Sequence, residues 1–473
     1  MTQHIHFIGI NGSGLSAIAQ VLLERGYTVS GSDRSLGPLA HELARMGAQV
    51  VEGHRGDHVL GADLVIRSSA VLDENPEVQA ARAAGIPVLK RADFLAQLMA
   101  GQSVIAIGGT HGKTTTTAMV AWLLSRLGQD PSYIIGGVSR NLGGNAHAGQ
   151  GSTFVIEADE YDRMFLGLTP SWILLTYLEH DHPDCYPTLP EYRQAFQDFI
   201  LRLQPGGSLL ASSDCAETAA LVRQVPAGCH AWTYGLALVS NHPDNPPGYL
   251  ATDLSSNSHG GTSFSAWYTT QHQPAVRLAQ VDLQIPGQHN VQNALAALAL
   301  VHRLGLPVST AAAALAEFNG TGRRFDLLGE AKGISVYNDY AHHPTEIRAT
   351  LAAARQRYPD RRIWAVWQPH TYSRTQTLFN EFTQAFSAAD RVIVTEIYAA
   401  READPGFSSR QLVSAMSHPK VQFAPTLAAA AQLLLDQLQS GDVVFVLSAG
   451  DADQISQQVL ESLSCGEDHH DRE

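Results

Sequence analysis

Lysine is nearly absent from this 473-residue sequence: Lys90, Lys113, Lys332 and Lys420 are the only four. Cationic work elsewhere therefore falls to arginine, whose planar fork suits phosphate and carboxylate. Positive charge is short overall, with 31 Lys and Arg against 45 Asp and Glu and a formal net charge of -14. That balance disfavours a nucleic-acid surface, which needs a basic footprint, and leaves phosphorylated small molecules open. Cysteine is short too. Cys185, Cys215, Cys229 and Cys465 form no CxxC pair and no regular framework, which argues against a structural zinc site and suits a reducing compartment. No apolar run approaches the roughly 18 residues of a membrane span, and Met1-Thr-Gln-His lacks the basic and apolar regions of a secretory signal. A cytoplasmic protein with no membrane partner is expected, and nothing in the sequence sets an oligomeric state.

The most informative stretch is Ser103-Val-Ile-Ala-Ile-Gly-Gly-Thr-His-Gly-Lys113-Thr-Thr-Thr-Thr117, which reads as a strand, a glycine turn and the start of a helix. Backbone N–H groups at such a turn point at an anion, the Lys113 ammonium can reach β- and γ-phosphates, and the Thr114 hydroxyl is placed for Mg2+. A full P-loop has a glycine five positions before Gly112, where Ile107 stands. The cradle is therefore a shortened variant built from Gly109, Thr110, His111, Gly112, Lys113, Thr114 and Thr115. A Gly-Lys-Thr that happens to end a strand is the competing reading.

The length points to two or three domains. Residues 4–10 read as a strand running into Gly9-Ile-Asn-Gly-Ser-Gly14, followed by a helical pattern and Tyr27-Thr-Val-Ser-Gly-Ser-Asp33, a βαβ opening with an acid about 20 residues past the glycines. The glycine spacing is GxxGxG rather than the dinucleotide GxGxxG, which weakens an NAD reading and keeps a nucleotide pyrophosphate at the helix N-terminus. Gly12, Ser13 and Gly14 are its candidates, with Asp33, Ser69 and Arg91 added from their positions. A first domain spans 1–100 and a central one 101–322. In the latter, strands at 153–157 and 172–178 end in Glu157-Ala-Asp-Glu-Tyr-Asp162 and Glu179-His-Asp-His182. Ligands of open parallel sheets bind beyond the carboxyl ends of the strands, so these acids should stand beside Lys113. Thr114 and Glu157 are candidates for one Mg2+ and His182 for a second; a solvated acidic turn and a packed histidine are the alternatives. The polar stretch between about 236 and 275 reads as solvent-facing hairpins rather than core. Gly320-Thr-Gly-Arg-Arg-Phe325 reads as a joint, and a third domain, 323–473, alternates strands at 334–338, 362–367, 391–397 and 443–448 with helices. Its last nine residues, 465–473, read as a frayed tail. The expected class is α/β in three domains: Rossmann-like, P-loop ATPase-like and Rossmann-like.

Gly109-Thr-His-Gly-Lys-Thr-Thr-Thr116, Glu157-Ala-Asp-Glu160, Asp181-His182, Gly287-Gln-His-Asn-Val-Gln-Asn-Ala294, Arg323-Arg-Phe325 and Asp339-Tyr-Ala-His-His-Pro-Thr-Glu346 occur in the order seen in Mur ligases, and the resemblance spans nearly the whole chain. The opening glycine loop and Trp367-Gln-Pro-His-Thr-Tyr-Ser-Arg-Thr375 resemble the alanine-adding branch. The resemblance implies an enzyme that uses ATP to join L-alanine to the lactyl carboxylate of UDP-N-acetylmuramate through an acyl phosphate, with two Mg2+ ions. It implies catalytic roles for Lys113, Glu157, His182 and Arg374. His289, Asn290 and Asn293 would lie by the adenine, Arg324 would reach the γ-phosphate and Asp339 the ribose. His342, His343, His370 and Arg374 would surround the amino acid, with the UDP end at the first glycine loop. By sequence alone, Asn290 and Asn293 also suit helix capping, and Arg374 a surface ion pair. Many relatives carry arginine where Thr371 stands. Two other branches use a carbamylated lysine in the central domain; Lys113 is the only lysine between 91 and 331 and is already committed, which agrees with the alanine-adding branch. The nearest rival is the branch that attaches an intact tripeptide to the same nucleotide sugar; a nucleotide-gated binding protein is a rival of another class.

Overall fold

The structure, a computed structural model, describes residues 3–236, 248–270 and 273–464. The expected tail at 465–473 and part of the polar stretch, 237–247, lie outside the described residues. Three sheets follow one another along the chain.

The first holds β1 (His4–Ile8), β2 (Thr28–Asp33), β3 (Gln49–Glu52), β4 (Leu64–Arg67) and β5 (Val88–Lys90) in the order β3-β2-β1-β4-β5, every pair parallel. The order reverses beside β1, and the helix Ser13–Glu24 starts at that switch point, where open α/β sheets take their ligands.

The central sheet has ten strands. They are β6 (Ser103–Gly108), β7 (Ser132–Ser139), β8 (Gly144–His147), β9 (Thr153–Glu157), β10 (Trp172–Leu175), β11 (Ser208–Ser212), β12 (His230–Gly235), β13 (Gly248–Ser256), β14 (Thr262–Thr270) and β15 (Gln273–Asp282). Their order is β15-β14-β13-β12-β11-β10-β6-β9-β7-β8. β6 lies between the two acid-ended strands, parallel to both. Val104, Ile105, Ala106 and Ile107 are buried on both faces, as central parallel strands require. The alanine-rich helix Gln288–Arg303 packs on this sheet with Val291 and Ala294 to Val301 buried. The stretch read as solvent-facing hairpins does form antiparallel hairpins, but one face is core: Tyr249, Ala251, Phe264, Ala266 and Val281 are buried in the cluster that holds this helix. The period-two apolar positions are sparse among polar residues, so composition masks them.

The third sheet comprises β16 (Asp326–Ala331), β17 (Ile334–Asp339), β18 (Ile363–Trp367), β19 (Arg391–Thr395), β20 (Val421–Ala424) and β21 (Val443–Leu447), ordered β16-β17-β21-β18-β19-β20. Only the β16–β17 pair is antiparallel. The fold is thus three consecutive α/β units, the first and third Rossmann-like.

Candidate active site

The phosphate loop leaves β6 and enters the helix Lys113–Arg126. Gly112 is the helix N-cap at φ +80°, and a Cβ there would stand 2.6 Å from Asn293 Oδ1; Gly109, at φ +131°, would place one 2.3 Å from Thr176 Oγ1. Both positions combine a left-handed backbone with a close neighbour, so only glycine fits. Lys113 Nζ donates to Gly109 O (2.6 Å), Thr110 O (3.1 Å) and Glu160 Oε1 (2.9 Å). Burial opposes its charge, but Glu160 and Glu157 outweigh that and hold its pKa above the usual lysine value.

Glu157, at the end of β9, accepts from Thr114 Oγ1 (3.1 Å) and from the Gly136 N–H (2.7 Å). Burial raises its pKa against the pull of Lys113, so this carboxylate is short of compensating charge. Two oxygens bound cis on an octahedral ion with bonds of about 2.0–2.1 Å lie about 3 Å apart, so the Thr114 and Glu157 oxygens fit one Mg2+. His182 sits at φ +52°, in the left-handed region that residues other than glycine adopt uncommonly. Its Nε2 is 3.5 Å from Glu160 Oε1 and 3.6 Å from Asp181 Oδ2. Burial lowers its pKa, but Asp181 and Glu160 outweigh burial and leave it raised.

Two cavities share Thr114, Arg324 and Glu346 in their linings. The first, about 540 Å³, is lined by His289, Asn290, Asn293, Asp339, Ala353 and Gln356 among others. Gly287, not an asparagine, caps the Gln288–Arg303 helix. Asn290 Nδ2 instead donates back to Pro286 O at 2.7 Å, so the capping alternative is not what the structure holds. Burial and then Arg324 lower the His289 pKa to about 4, so its ring is neutral. Asp339 accepts the N–H groups of Phe325 and Ala341, both at 2.8 Å.

The second cavity, about 850 Å³, reaches from Ser13, Gly14 and Arg91 past Lys113, Glu157 and His182 to His342, His370, Thr371 and Arg374. A Cβ on Gly14 would fall 2.0 Å from Arg91 Nη1, and Arg91 Nη2 pairs with Asp159 at 3.1 Å. Gly12, Asp33 and Ser69 are not among its lining. Asp33 secures the glycine loop by accepting the Asn11 N–H at 2.9 Å, and Ser69 is exposed. The glycine-rich stretch after Ile135 is the β7–β8 hairpin, which contributes Gly136, Gly137, Val138 and Asn145 to the wall.

The third unit closes over this cavity with charge pairs that the sequence reading did not foresee. Arg374 is 4% exposed, and its Nε (2.9 Å) and Nη2 (2.8 Å) donate to Asp181 Oδ1 of the central unit. Its Nη1 points to His370 Nδ1 at 3.1 Å. The pair is buried rather than superficial, so the surface ion-pair alternative fails. Burial opposes the Asp181 charge, but His182 and Arg374 hold its carboxyl well below the usual range. His343 lines neither cavity. It is the N-cap of the helix Pro344–Arg357, and its Nδ1 faces Glu179 Oε1 at 3.1 Å. His342 and His370 are kept neutral chiefly by burial, at about 3 and about 4. Glu160, Glu179, Asp181 and Glu346 are the groups that went unassigned; their signal was position, three just past central strands and one in the first turn of a helix.

Three family descriptions match the chain: "Mur ligase family, catalytic domain" at 4–103, "Mur ligase middle domain" at 107–301 and "Mur ligase, glutamate ligase domain" at 323–450. A UDP-N-acetylmuramate--L-alanine ligase of Roseiflexus castenholzii is 42% identical over 472 residues, covering 98% of both chains. The crystal structure of a UDP-N-acetylmuramate-alanine ligase from Thermotoga maritima superposes with a TM-score of 0.79 at 28% identity, over 98% of this chain and 100% of that one. A murein peptide ligase from Psychrobacter arcticus follows at 0.71 and 26%, covering 98% of each.

Proposed function

Because the chain belongs to the Mur ligase family, we propose that it is the ATP-dependent enzyme that joins L-alanine to UDP-N-acetylmuramate in peptidoglycan precursor synthesis. The observation that carries this reading is the meeting of the two cavities at Thr114, Arg324 and Glu346. A nucleoside in the smaller one sends its phosphates over the glycine loop into the larger one, where a long nucleotide sugar and a small amino acid have room.

In this reading the neutral His289, with Asn290 and Asn293, borders the adenine, and Asp339 the ribose. Lys113 and Arg324 neutralise the β- and γ-phosphates, with the backbone N–H groups of residues 112–115 around them. The UDP end lies against Ser13, Gly14 and Arg91. Thr114 and Glu157 would hold one Mg2+ and His182 a second; bound there, magnesium would offset charge on the phosphate oxygens. The lactyl carboxylate attacks the γ-phosphorus and ADP leaves. The amine of L-alanine then attacks the acyl phosphate carbon, and the tetrahedral intermediate expels inorganic phosphate to leave the amide. Such steps depend mainly on positioning and charge stabilisation, so no nucleophile from the protein is needed. The proposed domains are 1–100, 101–322 and 323–473, binding nucleotide sugar, ATP and amino acid respectively. Among the described residues no helix is long and apolar enough to cross a membrane, and a cytoplasmic setting, where ATP is at hand, is part of the proposal.

Phosphate release that needs both UDP-N-acetylmuramate and L-alanine, with formation of the alanylated nucleotide, is the expected result. Release with the tripeptide L-alanyl-D-glutamyl-diaminopimelate but not with alanine would assign the peptide-ligase activity instead, and ATP binding without turnover would overturn both.

A further inference from the structure

Among the groups of the phosphate loop, His111 makes contacts that holding a nucleotide does not call for. Its ring faces the third unit. Nε2 forms a short hydrogen bond with Glu179 Oε1 of the central unit, and Nδ1 is 3.0 Å from Glu346 Oε1, in the helix Pro344–Arg357. We propose that His111 is a positioning residue that ties the phosphate loop to the amino-acid-binding unit: held as a cation between Glu179 and Glu346, it makes closure of the third unit depend on the loop that cradles the nucleotide. The inference rests on the ligase reading and assigns that site its closure contact.

The charge count at this junction supports it. Glu179 and Glu346 face each other from different units, and both carboxyls lie below the usual range because their polar neighbours, His111 among them for both, outweigh their burial. Without a cation between them they would repel. The other groups facing His111 do not supply one as close. Arg324 stands 3.6 Å from Glu346 Oε1, His289 is neutral, and Tyr177 stacks at 6.0 Å between ring centroids. His343, 4.9 Å away ring to ring, faces Glu179 Oε1 with Nδ1 at 3.1 Å, but that same nitrogen accepts the Thr345 N–H that caps its helix. His342 reaches His111 only through Glu346 Oε2, at 3.3 Å. Burial disfavours charge on His111, but Glu346 and Glu179 outweigh it and lift its pKa to about 9. A pKa raised above 6.5 gives a clasp at full strength below about pH 6.5 that is lost as pH rises through about 9. The Nδ1–Glu346 contact spans 235 residues of sequence and stands beside a second link between the same two units, Thr345 Oγ1 donating to Glu179 Oε2 at 3.1 Å.

The test uses the full-length protein. The L-alanine KM and the radius of gyration from X-ray scattering are measured against pH for the parent, Glu346→Gln, Glu179→Gln, His111→Asn and the His111→Asn/Glu346→Gln double variant. The parent should lose alanine affinity and expand as pH rises through about 9, and both transitions should move to lower pH in Glu346→Gln, because the imidazolium has lost a carboxylate. His111→Asn should raise the L-alanine KM about tenfold or more with the affinity for UDP-N-acetylmuramate unchanged. The double variant should be no worse than His111→Asn alone, a coupling of about tenfold, or about 1.4 kcal/mol. Unmoved pH transitions in Glu346→Gln, or multiplicative effects in the double variant, would overturn the proposal. If His111→Asn does not fold, the two glutamine variants and their pH transitions decide it. A parent that makes no alanylated product would sink the ligase reading, while the scattering transitions would still test the clasp.

Discussion

Replacing Lys113 by methionine removes two things at once, and the structure allows them to be separated. Glu160 is fully buried, and Lys113 is its nearest cation at 2.9 Å. A carboxylate stranded in such a place costs about 3–5 kcal/mol. His182, 3.5 Å from Glu160 Oε1, and the Tyr192 hydroxyl at 3.3 Å remain as partial compensation, which points to the lower end of that range. For a unit of roughly 200 residues each kcal/mol moves Tm by about 2–4 °C, so Lys113→Met should melt about 6–12 °C early in calorimetry. It should also lose phosphate release by about 10²–10³-fold or more, the scale of one charge-stabilising donor, with the affinity for UDP-N-acetylmuramate unchanged because the proposed reading puts that ligand's pyrophosphate at the first glycine loop. Adding Glu160→Gln removes the stranded charge. The double variant should regain most of the lost Tm and none of the turnover. A double variant as unstable as the single would mean that the ion pair is not the source of the loss, and one that turned over would mean that Lys113 does not serve the phosphates.

Arg374→Ala leaves the buried Asp181 with His182 as its remaining partner, and should raise the L-alanine KM at least tenfold in steady-state assays; an unchanged KM would refute the placement of the amino acid beside His370 and Arg374. Gly112→Ala forces an alanine to φ +80° with its Cβ 2.6 Å from Asn293 Oδ1, so a loss of about 1–3 kcal/mol and weaker ATP binding by calorimetry are expected. In the first unit, Glu77 is fully buried and accepts from Ser32 Oγ at 2.6 Å, with His58 Nδ1 at 2.8 Å and His6 Nε2 at 3.2 Å. Burial opposes its charge, but these partners outweigh it and hold its pKa at about 2. Its contribution, up to about 3 kcal/mol, is therefore present above about pH 4.5 and lost as pH falls through about 2. The Tm gap between the parent and Glu77→Gln should close over that window.

What could be read from the chain was what is local. A strand, a glycine turn and a helix start occupy consecutive residues, so the phosphate loop and the acids that end β9 and follow β10 were legible from spacing alone. The β13–β15 face was misread because its buried positions, Tyr249, Ala251, Phe264 and Ala266, are separated by residues that look like loop. The pairs across units were invisible for a different reason. Arg374 and Asp181 are 193 residues apart, His111 and Glu346 are 235 apart, and no periodicity records which acid a folded chain brings to which base. His343 shows the same limit. Its motif suggested a substrate contact, whereas its place before Pro344 makes it a helix cap, and the Glu346 three residues later completes a capping box.

The scarcity of lysine then takes on a structural meaning. Around the two cavities four strong cations are matched with carboxylates of the protein itself: Lys113 with Glu160, Arg324 with Glu346, Arg374 with Asp181, Arg91 with Asp159. A triphosphate entering over the loop competes for the first two, so part of its binding energy goes into loosening pairs that already satisfy buried groups. The acids it displaces do not become costly if each keeps a second partner. Glu160 keeps the Tyr192 hydroxyl and, until a metal takes the imidazole, His182; Glu346 keeps His111. Histidine is suited to that second place because its charge responds to the acid beside it, whereas another lysine would compete with Lys113 for the same phosphates. On this argument His182→Lys should not substitute for the native residue: it should tighten Glu160 and slow phosphoryl transfer while preserving Tm, and a variant with undiminished turnover would refute the division of labour between lysine and histidine.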